Sequence, residues 1–488
     1  SRGLGDVYKR QIPVNTSIID TQVIRESSTS TVDELLRQIP GFNMLRASDS
    51  ISSSPVINTV SLRGLGGNAA SRTLVLLDGI PLNNAHSSEI YWSRVPKHQI
   101  ERVEVVRGAG ANSWGNLSMG GVINIVTAKP RDDGIDFTAS VGDPLTWDVS
   151  AGLSQVHDRW SYSVFAEYND TDGYLKLPPS EVRPIDENVY KENISVGGRA
   201  EYRASENTRI FFGGSGFDEE RGAGTPLDSN QVENRSVDAG IETITSDGGN
   251  WTFRAFYDET DLEDWATRIN SAGDAETPRT FRVQPTEALG TGLVWSKELA
   301  GGHTLTAGAD YRWTEMTTSD WTSFSGMTPR SFKKVTGSQD MGGVFIQDTW
   351  QVNDRWQLSG SLRYDYFVNE GSDYSMSLTS GEITDRNSYA RNSETTVNPN
   401  LGTVFRMNDT VSLRASVYEG FRAPTLRELY RSGSSRGGVT LVNNPYLAPE
   451  RLVGIEGGVD WFLGSDAVLR LTVFQNTVQD QIQNVTRG

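Results

Sequence analysis

From about residue 135 onward, apolar and polar positions alternate along the chain with a period of two. In residues 356–366 one face carries tryptophan, leucine, glycine and tyrosine, while the other carries glutamine, serine, arginine and aspartate. Residues 305–313 and 160–168 repeat this arrangement, often with aromatic residues at the ends of the segment. Because successive side chains of a β-strand point to opposite faces, the pattern predicts amphipathic strands with an apolar outer face and a polar inner face.

Roughly 15 such segments follow one another, and two kinds of connection alternate between them. Tight turns are predicted at 301–302 and 353–354, and long polar loops near 171–190, 221–232, 267–279, 370–392 and 431–448. Short turns that alternate with long loops are typical of transmembrane barrels. A soluble β-sandwich or propeller has the same periodicity and remains the alternative, but soluble strands average only ~5–6 residues. The longer segments seen here therefore favour the barrel.

Residues 12–131 differ from the rest of the chain because they mix short strands, short helices and glycine turns. Residues 31–34 (TVDE) predict a capping box at the start of a helix over 31–39. The dipeptide at 78–79 (Asp-Gly) tolerates positive φ and predicts a tight hairpin between two apolar strands. We therefore expect a small α+β domain over 12–131 and a strand-rich domain over 132–488.

Composition removes several classes of protein. Hydrophobic residues make up 36% of the chain and the mean hydropathy is -0.44. The longest apolar runs, such as 73–77, fall far short of the ~20 residues that a spanning helix needs, whereas a barrel only requires alternate residues to face lipid. The net charge of -17 argues against a nucleic-acid partner. The absence of cysteine excludes a disulfide scaffold and thiolate metal sites.

Both ends of the sequence predict that the chain is a fragment. Residues 1–11 show no periodicity and resemble an adapter-derived artefact, and no signal sequence opens the chain. The last segment, 468–486, stops without a terminal turn. An open sheet edge inside lipid would leave backbone groups unpaired at a cost of several kcal/mol each. We therefore expect strands and an upstream segment beyond the given sequence.

Five phrases in residues 32–127 resemble the plug signatures of the TonB-dependent receptor family, and they occur in the family's order. They are VDELLRQIPG (32–41), VSLRG (60–64), TLVLLDGIPL (73–82), IERVEVVRG (100–108) and GNLSMGGVINIVT (115–127). Phrases typical of the family's barrel strands are VFIQDTW (344–350), LRYDY (362–366), GFRAPTLRELY (420–430), NPYLAPER (444–451) and GIEGG (454–458). The resemblance covers residues 14–486.

This resemblance implies an α+β plug domain inside a large antiparallel transmembrane β-barrel of the bacterial outer membrane. The plug would comprise residues 12–131 and the barrel 132–488, with about 15 of the family's 22 strands present. The implied partners are TonB of the inner-membrane TonB-ExbB-ExbD complex and the surrounding outer-membrane lipid and lipopolysaccharide. The coupling segment that TonB grips, the TonB box, would lie upstream of residue 12.

A search for catalytic motifs gives no reason to expect an enzyme. The four histidines never stand at the spacing of a helical zinc pair, and no Gly-x-Ser-x-Gly elbow is present. Residues 64–69 imitate a dinucleotide-binding fingerprint, but a strand follows them where the fingerprint needs a helix. We therefore expect no catalytic residues, no cofactor and no resident metal. A passive porin or adhesin-like barrel and a secreted β-rich enzyme remain the alternatives from other classes.

The resemblance also implies residues that dock the plug to the barrel. Arg63 and Arg107 each end a predicted plug strand just before a glycine, where a solvated arginine would be unremarkable. In the family these positions resemble a pair that contacts glutamates of the barrel wall, and Glu456 stands where one such glutamate is expected. A bidentate arginine contact would hold the plug in register.

Ligand contacts are expected from loops, because specificity usually lies on loops that a rigid scaffold positions. The outward plug loops at about 43–58 and 83–92 and the barrel loop at 431–448 combine hydrogen-bonding groups, aromatic surface and arginines. The predicted contact residues are Asn43, Arg46, Asn83, Asn84, His86, Tyr91, Trp92, Arg431 and Arg436.

The function expected from these features is energy-coupled import of a scarce, large nutrient. A ferric siderophore or another metal chelate is the first expectation, and cobalamin or an oligosaccharide are the rivals within the family. Transport would be binding chemistry without covalent catalysis. A plug argues against the passive porin, because an unobstructed pore needs none.

Overall fold

The computed structural model describes residues 15–484, apart from 30, 47, 49, 51–57, 67–69, 109–110, 133, 432, 435–439 and 464–466. The predicted artefact at residues 1–11 and the predicted ligand residue Arg436 lie outside the described residues. No helix within the described ranges is long and apolar enough to cross a membrane.

The N-terminal part forms the plug, a small domain built on a five-stranded sheet of order β1-β6-β7-β4-β5. Strand β4 runs parallel to β7, and the other pairs are antiparallel. Two single turns of 3-10 helix cover Trp92–Arg94 and Lys97–Gln99. The other elements are β1 (Asn15–Asp20), α1 (Thr21–Glu26), α2 (Val32–Leu36), β2 (Phe42–Met44), β3 (Val60–Leu62), β4 (Leu74–Leu77), β5 (Ile80–Pro81), β6 (Ile100–Arg107), α3 (Ala111–Trp114) and β7 (Gly121–Thr127).

The plug has its own apolar core between the sheet and α2. Leu35 and Leu36 of α2 and Val103 and Ile123 of the sheet are fully buried in one cluster. Each such side chain contributes about 1.5–3 kcal/mol through burial. The hairpin predicted at Asp78 and Gly79 is confirmed, because β4 and β5 pair directly across this turn.

The predicted helix over 31–39 is shorter than expected, and its capping box is wrong. Thr31 occupies the N-cap position, but its side chain makes no capping hydrogen bond. The helix ends at Leu36 because the chain tightens there: the amide of Ile39 donates to the carbonyl of Leu36 at 2.9 Å. Gly41 then reverses the chain with a φ of +82°, so a glycine is needed at this position.

The rest of the described chain forms one antiparallel sheet of 15 strands, which confirms the predicted fold class and the approximate number of strands. Strands β8 and β24 lie at the two ends of the sheet order. The strands are β8 (Gly134–Gly142), β9 (Thr146–His157), β10 (Trp160–Tyr174), β11 (Val189–Arg203), β12 (Thr208–Thr225), β13 (Asp228–Ile244), β14 (Asn250–Ile269), β15 (Glu276–Leu299), β16 (His303–Thr322), β17 (Ser331–Gln351), β18 (Trp356–Ser377), β19 (Ile383–Arg406), β20 (Val411–Arg422), β23 (Glu450–Leu463) and β24 (Ala467–Gln479).

This sheet curves around the plug. The plug's His98 contacts Glu167 of β10 at 2.7 Å, and Asn15 donates to Thr472 of β24 at 2.9 Å. Strands near both ends of the sheet order therefore touch the same domain. Alternate residues face away from it: Tyr364 is 45% exposed, whereas its chain neighbour Arg363 is buried. The predicted apolar-out, polar-in arrangement is confirmed.

Three of the predicted long loops are mostly strand. Strand β12 runs to Thr225 and β13 begins at Asp228, so a two-residue turn replaces most of the loop predicted at 221–232. The connections at 270–275 and 378–382 are similarly short. These strand ends lie beyond the apolar band, and most of their residues are polar. The alternation that predicts a strand disappears there, although the backbone pairing continues.

Two connections between wall strands stay long, as predicted near 171–190 and 431–448: residues 175–188 join β10 to β11, and residues 423–449 join β20 to β23. The connection between β20 and β23 contains α4 (Leu426–Tyr430) and the short strands β21 (Gly433–Ser434) and β22 (Thr440–Leu441). A capping box begins α4: Thr425 accepts from the amide of Glu428, and the Glu428 carboxylate accepts from the amide of Thr425. This capping fixes the start of α4 above the plug.

Candidate functional site: the plug's outward face and its contacts with the wall

Arg63 connects the plug to the barrel through an ion pair with Glu456 of β23. The two side chains are 2% and 1% exposed, so the pair is shielded from water. The guanidinium also donates to the Tyr418 hydroxyl at 2.8 Å and lies 4.6 Å from the centre of the Phe474 ring. Removing either partner of such a desolvated pair leaves an uncompensated buried charge.

Glycines in two of the family-like phrases make room for this contact. A Cβ at Gly108 would lie 2.8 Å from Nη1 of Arg63 and 3.0 Å from the Tyr418 hydroxyl. A Cβ at Gly454 would lie 2.3 Å from the Tyr418 ring. A side chain at either position would displace Tyr418, and one at Gly108 would also displace Arg63. The phrases VVRG and GIEGG therefore keep glycine for a steric reason.

The prediction that Arg107 also reaches toward Glu456 is wrong. In the described part of the chain its guanidinium donates only to plug atoms: the Pro40 carbonyl at 3.1 Å, and Asn15 Oδ1 and Ser17 Oγ at 2.9 Å each. Burial, and then repulsion led by Arg63, lowers the pKa of Arg107 to about 10. The position beside Glu456 is already occupied by cations, whereas β1 offers Arg107 neutral oxygen acceptors.

Sequence reasoning missed a second plug–barrel ion pair, centred on Glu450. Its carboxylate accepts from Arg72 of the plug at 2.8 and 2.7 Å and from Arg422 of β20 at 2.8 Å. Glu450 is fully buried, and both arginines are 2% exposed or less. Arg422 also donates to Glu428 of α4 at 2.7 and 3.0 Å. This network therefore joins the plug, the wall and the outer connection.

A signal for this network was present in the sequence. Arg422 and Glu450 lie within the phrases GFRAPTLRELY and NPYLAPER, which the resemblance singled out. Nothing in their spacing connects them to Arg72, which lies 378 positions before Glu450.

The predicted ligand residues of the plug occupy different environments. Asn43 is exposed, whereas Arg46 is buried against Asp33 at 2.8 Å. Asn83 uses its amide to hold β4, because it accepts from the amide of Val75 at 2.8 Å. Trp92 packs in the plug core. Arg46, Asn83 and Trp92 therefore shape the loops from within.

The remaining predicted residues face the wall. Asn84 donates to Thr286 of β15 at 3.1 Å, and Tyr91 packs with Phe217, Val232 and Leu262 of the barrel. Burial, the largest influence, raises the pKa of Tyr91. His86 is also buried, and its carbonyl accepts from the amide of Arg427 of α4 at 2.9 Å.

His86 is surrounded by three arginines, Arg282, Arg427 and Arg431, which we call the cationic group. Burial and then repulsion from these arginines hold the pKa of His86 well below its usual range, so the imidazole stays neutral. Arg282 pairs with Asp320 at 2.7 Å. Arg427 pairs with the buried Glu89 of the plug loop at 2.9 Å.

The Arg431 side chain forms no hydrogen bond or ion pair with any residue that the structure describes, whereas its backbone amide donates to the Arg427 carbonyl at 3.1 Å. Burial, followed by repulsion from Arg427 and Arg282, lowers the pKa of Arg431 to about 10. It still carries its charge at neutral pH. A partly buried guanidinium without a carboxylate partner offers its donors to an incoming anion.

A cavity of about 280 Å³ lies lower in the lumen, between the β4–β5 hairpin and the wall strands β14–β18. Leu76 and Ile80 of the hairpin give it an apolar side, and Arg312 and Gln339 of the wall give it a polar side. The Arg312 guanidinium also donates to the Asn83 carbonyl at 3.1 Å. The loop that begins at Asn83 thus separates this cavity from the cationic group.

Comparison with known proteins agrees with this geometry. The model of the TonB-dependent receptor plug domain matches residues 8–122, and that of the TonB-dependent receptor-like β-barrel matches residues 184–488. The chain belongs to the TonB-dependent receptor family. The receptor is therefore an outer-membrane receptor and transporter, which confirms the predicted family and location.

Individual relatives of the receptor are distant. The iron-regulated outer membrane virulence protein of Vibrio cholerae is 23% identical over 97% of this chain and 67% of its own length. The vitamin B12 transporter BtuB of Photobacterium profundum is 22% identical over 91% of this chain and 65% of its own length. The crystal structure of the ferric yersiniabactin uptake receptor FyuA from Yersinia pestis superimposes with a TM-score of 0.75 at 15% identity, covering 97% of this chain and 74% of FyuA.

Proposed function

We propose that this receptor imports an anionic metal chelate of the ferric siderophore class, with residues 12–131 acting as the plug and 132–488 as barrel wall. The observation that carries the proposal is the cationic group, in which the Arg431 guanidinium has no hydrogen-bond or ion-pair partner among the described residues. Anionic oxygens of a chelate would complete its hydrogen bonds. Arg282 and Arg427 are each paired with a carboxylate, so Arg431 is the member of the group whose donors an incoming anion would engage.

The names of the relatives support metal uptake but leave a second candidate. FyuA takes up a ferric chelate and the Vibrio cholerae protein is iron-regulated, whereas BtuB transports vitamin B12. A corrinoid presents mainly neutral amides, which would leave the charge of Arg431 uncompensated. Leaving a charged donor unpaired in a desolvated site costs more than a neutral mismatch. The charge of the site therefore favours the anionic chelate over cobalamin.

The proposed mechanism needs no covalent step. Ligand binding beside His86 would act on Arg427, which belongs to α4 and pairs with Glu89 of the plug loop. Work transmitted through TonB would then move the plug and admit the ligand to the lumenal cavity. The other predicted ligand residues are proposed to shape or line the loops: Asn43, Arg46, Asn83, Asn84, Tyr91, Trp92 and Arg436.

Uptake by cells that express the receptor tests the ligand class. Labelled ferric tris-catecholate, ferric tris-hydroxamate and cobalamin should be offered separately, and we expect the anionic tris-catecholate to be bound best. Arg431→Glu should weaken its binding roughly 10–100-fold, because hydrogen bonds to charged groups contribute about 1.5–3 kcal/mol. Arg386→Glu, which changes an exposed arginine of β19, is the matched control and should leave binding unchanged. Preferential uptake of cobalamin, or equal losses in both variants, would reject the proposal.

Binding should also depend on pH through Glu89. Burial raises the pKa of Glu89 to about 7, although Arg427 opposes the shift. Because this pKa is raised, the carboxyl becomes neutral as the pH falls through 7, and the site, whose other acids include Asp264 and Asp320, gains one positive charge. Affinity for a chelate of constant negative charge should therefore rise roughly three-fold or more between about pH 8 and pH 6.

Glu89→Gln provides the control for this pH effect. Its amide cannot ionise, so the variant should bind the anionic chelate with nearly the same affinity across the range. His86 does not contribute, because its lowered pKa keeps it neutral throughout. Titration calorimetry at several pH values measures the affinity of the unaltered receptor and of Glu89→Gln for the chelate. An unchanged pH dependence in Glu89→Gln would assign the effect to another group.

A further inference from the structure

Five aromatic residues form a continuous row across neighbouring strands of the wall, which we call the aromatic ladder: Trp265, Phe281, Trp321, Phe332 and Tyr374. Their ring centres are 4.3, 5.3, 5.1 and 5.9 Å apart in that order. The first four are direct cross-strand partners on β14 to β17. All five rings are half-buried.

The aromatic ladder lies on the outer face of the wall. On β14 the buried residues Thr260 and Leu262 occupy even positions, and Trp265 occupies an odd one. On β16 Thr314 and Met316 are buried, and Trp321 again has the opposite parity. Because side chains alternate between the faces of a strand, the ladder points away from the plug and from the ligand site.

The aromatic ladder also lies above the lipid. Tyr257 and Trp313 mark the outer end of the apolar band on β14 and β16, and Trp265 and Trp321 each follow them by eight positions. Eight residues of a strand tilted by about 40° rise roughly 20 Å. On β14 and β16 the outward positions between the two aromatic levels are polar, whereas β15 between them also carries two apolar residues. These positions are Glu259, Asp261 and Glu263 on β14, Val283, Pro285 and Glu287 on β15, and Glu315, Thr317 and Ser319 on β16.

We propose that the aromatic ladder is a docking surface for the oligosaccharide of outer-leaflet lipopolysaccharide. The wall below the ladder faces the acyl chains of that leaflet, so at the height of the ladder the same molecules present their sugars. A sugar ring has an apolar C–H face and a hydroxyl edge. Aromatic rings that border a row of carboxylates and hydroxyls match both parts.

Stabilisation of the strands alone does not account for the position of the ladder. Cross-strand aromatic pairs support a sheet wherever they occur. Strands β14 and β15, which carry Trp265 and Phe281, carry another aromatic pair at their opposite end. It consists of Trp251 and Trp295, with ring centres 6.2 Å apart. This second pair belongs to the inner interface of the membrane, where aromatic side chains are expected. It provides a matched control for the first pair, Trp265 and Phe281.

Saturation-transfer NMR with the purified receptor and deacylated lipopolysaccharide oligosaccharide tests the proposal. The unaltered receptor should transfer saturation to sugar C–H protons. The Trp265→Thr, Phe281→Thr double variant should lower the affinity about ten-fold or more, which corresponds to about 1.4 kcal/mol. The Trp251→Thr, Trp295→Thr control should keep full transfer. Threonine is chosen because it favours strands.

Folding of both variants is verified by heat-modifiable migration on gels, and Trp321→Thr serves as a milder replacement if the double variant fails to fold. Transfer that persists in the ladder variants, or that falls equally in the control, overturns the proposal. Equal transfer to a neutral glucan overturns the assignment to lipopolysaccharide. A dimer in native mass spectrometry that only the ladder variants lose would assign the surface to a second copy of the receptor instead.

Discussion

Replacing Glu450 with glutamine should loosen the plug and the outer connection together. The substitution removes the charge that Arg72 and Arg422 share, while the shape of the side chain is kept. Breaking one side of a buried ion pair costs about 3–5 kcal/mol, because the remaining charge stays desolvated. Hydrogen exchange should therefore increase both around Arg72 in the plug and in α4, which Arg422 holds through Glu428.

The control for this prediction is an exposed pair on the same sheet. Arg235 and Glu233 of β13 are 3.2 Å apart, with side chains 72% and 42% exposed. Such a pair contributes about 0–1 kcal/mol, so Glu233→Gln should leave exchange unchanged. Hydrogen exchange in Glu450→Gln that equals exchange in Glu233→Gln would show that Glu450 does not connect the plug with α4. Faster exchange in α4 without faster exchange in the plug would show the same.

Charge reversal at Glu456 should release the plug more strongly than neutral replacement. In Glu456→Lys the new ammonium would lie beside Arg63 and near Arg414, whose Nη1 is 3.7 Å from the Glu456 carboxylate in the native protein. Coulomb repulsion at ~4 Å is about 4 kcal/mol at an effective dielectric of 20, before screening and relaxation. Limited proteolysis of the purified receptor should cut the plug faster in Glu456→Lys than in Glu456→Gln.

A second substitution distinguishes a direct pair from general damage. Adding Arg63→Glu to Glu456→Lys restores opposite charges and should partly recover protection from protease. Glu315→Lys, at an exposed position on the outer face of β16, is the matched control and should behave like the unaltered receptor. Equal protease sensitivity in all of these proteins would contradict a docking role for Arg63 and Glu456.

The two ion pairs act at different places on the same strand. Glu450 begins β23 and connects to α4, whereas Glu456 lies six positions further along β23 and contacts Arg63 together with Tyr418. The plug is therefore fixed to β23 at two heights. A force transmitted to the plug from the periplasmic side would act first on the contact of Glu456 with Arg63. A ligand that acts through α4 would act first on the contacts of Glu450.

The sequence by itself determined the alternation of apolar and polar residues along the wall strands, the order of plug and barrel, and the family. These are local properties: alternation with a period of two follows from the geometry of one strand, and Asp78-Gly79 accepts the hairpin turn because of its own backbone preferences. The pairing of Arg63 with Glu456 was also expected, but only because the phrases VSLRG and GIEGG resemble those of a family.

Only the tertiary structure decided which charges meet. Arg63 and Arg107 occupy similar positions before a glycine, yet Arg63 contacts the wall and Arg107 returns to β1. The extent of the strands beyond the apolar band could be assigned only from the structure. Most residues there are polar, so apolar and polar positions do not alternate. An ion pair such as that of Arg72 with Glu450 depends on how a sheet of 15 strands curves around the plug. The spacing of residues along the chain does not encode that curvature, because it is set by packing between distant segments.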